Sequence, residues 1–102
     1  MQGVRLEVYM SQFSTHEDLY QYEWLLSKAA RMGIKGGTAV KTLAGFGRDH
    51  VRVKSFQHLT ANASVIVQFI VERSEAAKLI EMLKAEHLNV FCTQSPAEFE
   101  AL

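Results

Sequence analysis

The chain has one cysteine, Cys92, one proline, Pro96, and no excess of charge, with 11 basic and 11 acidic residues among 102. Each scarcity excludes something. A lone cysteine makes neither an intramolecular disulfide nor a CxxC site. A net charge of zero leaves no domain-wide basic footprint, so no nucleic-acid partner is expected. No apolar run approaches the ~20 residues that a membrane helix needs. The opening segment, MQGVRLEVYM, enters a strand pattern directly and lacks signal-peptide organisation. A reducing, cytoplasmic location is the expectation. Repeats, linkers and low-complexity tracts are also missing, and a chain of this length is read as one domain, residues 1–102, around one core.

What is present is periodic. Val4, Leu6, Val8 and Met10 alternate with Arg5, Glu7 and Tyr9, the signature of a strand with one apolar face. Thr15 with Asp18 reads as a capping box, and a helix is expected over residues 18–32, with Leu19, Tyr22, Leu26 and Ala29 inward and Leu25 and Met32 beside them. Gly33 stops it. A second strand is expected over 38–46 and a third, SVIVQFIVE, over 64–72, apolar on both faces and hence central or under an interface. Ser74 is expected to cap a second helix over 75–86, with Ala76, Leu79, Ile80 and Leu83 inward. A last strand over 88–93 leads to Ser95-Pro96-Ala97-Glu98, read as a terminal helical turn.

The order βαββαβ is the split βαβ of ferredoxin-like α+β folds, a four-stranded antiparallel sheet with two helices on one face. The other face, carrying Tyr9, Ile66, Ile70 and Phe91, has no cover within the chain. An apolar face of that kind implies a partner, and homo-oligomerisation through the sheets is the default.

The most informative stretch is residues 36–54, GGTAVKTLAGFGRDHVRVK. Glycines at a strand end let backbone N–H groups approach an anion, or simply mark a bulge or turn. Arg48, Arg52 and Lys54 follow with positive charge, fit for phosphate or carboxylate or for a solvated loop edge. Val51, Val53 and Phe56 of the same loop pack either on a neighbouring subunit or client, or on their own hairpin. His50 and His58 flank it beside Asp49, without metal-ligand spacing, and no metal site is expected. His16 and His87 are expected at the surface, and Trp24 and Tyr20 as packing residues of the first helix. Cys92 is expected as a small core residue, and no catalytic constellation emerges.

The run LLSKAARMGIKGGTAVKTLAGFG, with Ala30-Arg31-Met32-Gly33, Gly37-Thr38-Ala39-Val40 and Gly45-Phe46-Gly47, resembles the PII-like proteins, and VIVQFIVERSEAAKLIEML resembles their third strand and second helix. The resemblance implies a trimer of ferredoxin-like subunits that binds an adenine nucleotide or similar small anion between subunits. It also implies a non-enzymatic sensor that regulates a partner, such as an enzyme or a membrane transporter, through the loop at residues 47–59. On it, Gly45, Gly47 and Arg48 carry over, with Gly37 in support; together with Phe46, Arg52 and Lys54 of the same stretch they are the candidate ligand-binding residues. The chain departs from signal-transducing PII proteins in a shorter, tyrosine-free loop and in a glycine-free turn after the second helix. A small dimeric α+β barrel enzyme is the alternative, with Arg5, Glu7 and Gln68 facing a sheet-side pocket. An RNA-binding module shares the element order but would need basic charge and stacking aromatics on the third strand.

Overall fold

The computed structural model describes residues 1–46 and 63–102. Strand β1 (Gln2–Ser11) is followed by a small hairpin, β2 (Thr15–His16) and β3 (Leu19–Tyr20), and by helix α1 (Gln21–Arg31). Strands β4 (Thr38–Lys41) and β5 (Ser64–Val71), helix α2 (Arg73–Ala85) and strand β6 (Phe91–Glu98) complete the order. The main sheet runs β4-β5-β1-β6, antiparallel throughout. This is the ferredoxin-like α+β arrangement expected from the periodicity.

The alternation of β1 does what its pattern dictates. Val4, Leu6, Val8 and Met10 are buried, as are Val65, Val67, Phe69 and Val71 of the paired β5. Onto this face α1 packs Trp24, Leu25 and Ala29, and α2 packs Ala76, Leu79 and Leu83. Each large apolar side chain removed from water in this way contributes roughly 1.5–3 kcal/mol.

Four local expectations are corrected. The first helix begins at Gln21, not at residue 18, and Thr15 and Asp18 form no capping box. Residues 15–20 instead make a hairpin whose two turn residues, Glu17 and Asp18, both have positive φ, 50° and 68°. That is the combination a two-residue loop needs to match strand twist. Rotating the helix start also turns the inward stripe: Leu19 is 42% exposed, and Trp24 takes the inner place.

The second helix is capped by Glu72, not Ser74: the Glu72 backbone N–H donates to Glu75 Oε1 at 3.1 Å and the Glu72 side chain returns the bond, a capping box. The second strand ends at Lys41: the Thr42 N–H still donates to Ser64 O at 2.9 Å, but the return bond goes to the Thr42 side chain. Its Oγ1 accepts from the Ser64 N–H at 2.8 Å. The terminal turn at 95–98 is strand, not helix. Pro96 sits opposite Val4 on the outer strand β6, the part of a sheet where a residue without an N–H is tolerated.

Both helices end in the same way. Gly33 (φ 89°) donates to Ala30 O and Ile34 to Ala29 O, each at 3.1 Å. His87 (φ 55°) donates to Lys84 O at 3.1 Å and Leu88 to Leu83 O at 3.4 Å. These are paired Schellman closures, one with the usual glycine and one with histidine.

No described element covers the second face of the sheet. One row across it is apolar, Val40–Ile66–Tyr9–Phe91, and the next is polar, Thr38–Gln68–Glu7–Thr93. Ile70 lies on that side and is 39% exposed, as the lack of cover there implies.

Candidate functional site

The connection from α1 to β4 is shaped by Gly37. A Cβ built there would lie 2.7 Å from Cε1 of Phe69 and 3.0 Å from Cδ2 of Leu26. Phe69 is fully buried, so its ring has no room to yield. Glycine at 37 therefore lets the chain lie flat over the Phe69 ring at the end of α1 and start β4 in register with β5.

Gly45 is different. A Cβ there would meet nothing within 4 Å, and its φ lies outside the left-handed region. Nothing within the described chain demands glycine at that position. Close approach by another molecule is one physical use for such a glycine.

Around it the segment leaving β4 presents apolar side chains to solvent: Val40 is 50%, Leu43 92% and Phe46 74% exposed. Lys41 is exposed in the same run, and Lys35 lies exposed before Gly36. The described part of this segment thus has an unobstructed glycine, exposed apolar groups and, in Lys41, an exposed cation.

Of the candidate residues, Gly37, Gly45 and Phe46 fall on this connection and on the exit from β4. Gly47, Arg48, Arg52 and Lys54 lie outside the described residues, as do Asp49, His50, Val51, Val53, Phe56 and His58. Arg5, Glu7 and Gln68 fall on the uncovered sheet face, as their parity requires. There Arg5 Nε lies 3.9 Å from Glu7 Oε1, and Glu7 is opposite Gln68. A groove of about 560 Å³ opens between Met1, Gln2, Glu98, Phe99 and Glu100. None of the candidate residues lines it, and its two carboxylates suit it poorly to an anion.

Cys92 is half-buried against the core, and burial pushes its thiol up from 9.0, the direction of a packing residue and not of a nucleophile. Trp24, 2% exposed, is a packing residue as expected, whereas Tyr20 lies outside the helix, 42% exposed and stacked on Tyr22 at 5.8 Å.

One constellation escaped the sequence reading. His16, expected at the surface, is partly buried: its side chain is only 22% exposed, and its Nε2 lies 3.1 Å from Glu86 Oε2. Ligand atoms of His16, Glu17 and Glu86 all lie within 4.8 Å of one another. Two of these residues are adjacent and the third is 70 positions away from His16, at the C-cap of α2. The signal that points to it is the hairpin: once Glu17-Asp18 is read as a turn, His16 faces the helices.

Among the described residues, no helix is long and apolar enough to cross a membrane.

Comparison with known proteins places the fold. A PII-like signalling protein of Thermus thermophilus superposes with a TM-score of 0.64 at 16% identity, over 94% of this chain and 87% of the other. CPII of Thiomonas intermedia K12 bound to ADP and bicarbonate gives 0.62 at 22% identity, over 95% and 87%. The same protein bound to ADP, AMP and bicarbonate gives 0.58 at 19% identity, over 99% and 98%. In sequence, a UPF0166 protein of Aquifex aeolicus (strain VF5) is 26% identical over 83 residues, 80% of this chain and 79% of that protein. Residues 3–99 match the DUF190 family, described as uncharacterised ACR, COG1993, and the chain belongs to that family, on a PII-like fold.

Proposed function

We propose that this protein is a non-enzymatic PII-like sensor. It binds an adenine nucleotide or a similar small anionic metabolite between subunits and regulates a partner through the loop at residues 47–59. The observation that carries the reading is the likeness to CPII with ADP and bicarbonate bound, at a TM-score of 0.62 over 95% of this chain. Gly45 supports it from within, since its open surroundings leave the backbone approachable at the first residue of the GFGR run.

The assembly in this reading is a trimer of one-domain subunits that buries the uncovered sheet face. The row Val40–Ile66–Tyr9–Phe91 supplies the apolar contact. The ligand lies at the subunit boundary, where Gly45, Phe46, Gly47 and Arg48 leave β4, with Arg52 and Lys54 as further cations and Gly37 in support behind. Binding orders the loop and changes the surface offered to a cytoplasmic enzyme or membrane transporter.

The test is calorimetric titration of the oligomer with ATP, ADP, AMP and cyclic AMP, with and without bicarbonate, alongside Arg48→Ala. Saturable binding of one nucleotide, weakened at least about tenfold in the variant, supports the reading. A tenfold loss corresponds to about 1.4 kcal/mol, the scale of one charge-assisted hydrogen bond. No heat with any of the four sinks the nucleotide claim.

A further inference from the structure

The geometry points to a binding site for a divalent first-row transition ion formed by His16, Glu17 and Glu86, joining the β2–β3 turn to the C-terminal end of α2. It is independent of the nucleotide reading.

The donor set comes first. One imidazole nitrogen and two carboxylates converge, with all three ligand atoms within 4.8 Å of one another. Atoms bound to a common zinc at about 2.0–2.2 Å lie no more than about 4 Å apart. The closest pair, His16 Nε2 and Glu86 Oε2, is already at 3.1 Å. Side-chain rotation of two glutamates closes the rest. An imidazole among the donors favours zinc, cobalt or nickel over magnesium and calcium, which take oxygen throughout.

Electrostatics comes second. Glu86 is the C-cap residue of α2, so its carboxylate stands at the negative end of the helix dipole. Glu17 brings a second carboxylate to the same place. A cation there relieves the repulsion between the two carboxylates and pairs with the helix terminus.

Orientation comes third. The Trp24 indole N–H donates to Glu17 Oε2 at 2.9 Å, leaving the other carboxylate oxygen for an ion. The same indole meets the His16 ring edge-on at 4.5 Å. Trp24 is 2% exposed and fixed in the core, so one rigid side chain aligns two of the three ligands. Outer partners of this kind tune metal sites. Side-chain exposures of 22% for His16 and 31% for Glu86 leave an entry path.

Trp24 is also the only tryptophan of the chain, so the site carries its own reporter. Metal-free protein is titrated with Co²⁺ and Zn²⁺, following tryptophan fluorescence and, for Co²⁺, visible absorption. Saturable quenching at one ion per chain is expected. His16→Asn and Glu86→Gln should each weaken it at least about tenfold, the scale that loss of even an outer-shell partner costs. The double variant His50→Asn, His58→Asn should bind as the parent does. Thermal melts of every variant guard against misfolding, and Glu86→Gln, isosteric at a partly exposed cap, keeps the test valid should His16→Asn fail to fold. No saturable binding at millimolar ion overturns the proposal. So does unchanged affinity in folded Glu86→Gln, or loss of binding in the double variant.

Discussion

Tyr9 and Phe91 face each other across β1 and β6 on the uncovered side of the sheet, ring centroids 5.9 Å apart and planes tilted by 59°. With Val40 and Ile66 they complete a continuous apolar row from one edge of the sheet to the other. A charge in the middle of that row is costly to bury and harmless in water. If the proposed assembly buries this face, Ile66→Asp is therefore expected to give a folded monomer in place of the oligomer. Light scattering after gel filtration checks the mass and circular dichroism the fold; an unchanged oligomer would show that the sheet face is not the contact.

Gly37 and Gly45 are expected to separate stability from binding. Gly37→Ala forces a methyl group into the Phe69 ring and should cost about 1–3 kcal/mol, the usual range for overpacking. Gly45→Ala meets open space and should stay within about 0.5 kcal/mol of the parent. Its effect should instead appear as weaker nucleotide binding. Urea unfolding of both variants, with nucleotide titration of Gly45→Ala, gives the two readouts.

The end of α2 contains a removable cost. His87 holds φ 55° where the matching closure of α1 has glycine. Left-handed backbone costs a non-glycine residue roughly 1–2 kcal/mol, while glycine is the more flexible residue in the unfolded chain. His87→Gly should therefore stabilise by up to about 1 kcal/mol, seen as a higher urea midpoint at unchanged slope.

Cys92 should react slowly in the native protein. Burial disfavours its thiolate, so the folded pKa lies above that of the unfolded chain. The resulting stability is fully present below the ordinary value of 9.0 and is lost as pH rises through the raised folded value. Alkylation at pH 8 should lag behind that of a free cysteine and accelerate on unfolding. Stability should fall on the alkaline side of 9.0.

Most of this architecture was legible where burial obeys a period. Val4 to Met10 and Val65 to Val71 alternate because one face of each strand meets the helices, and no other element competes for those residues. The start of α1 was not legible. Glu17 and Asp18 are unusual in a turn that favours Asn-Gly, and the spacing of Thr15 and Asp18 imitates a cap. Ser95-Pro96 imitates a helix start for the same reason: local chemistry fits two structures, and pairing with β1 decides. Among the candidate residues, Gly45 stood out as a strand-end glycine and Gly37 through motif resemblance, but sequence could not separate the glycine that packing requires from the one it leaves open. The His16–Glu86 contact joins residues far apart in the chain, and no local spacing records it.

The two outer strands of the sheet are unequal. Pro96 removes a donor from β6, whereas β4 contains no proline among Thr38–Lys41. Fibre growth by strand addition needs both margins of a sheet to be competent, one to receive and one to extend. Here Pro96 breaks the row of backbone donors along the β6 margin, which disfavours addition of another strand there. An apolar sheet face is thus bordered on one side by a strand that resists fibre growth.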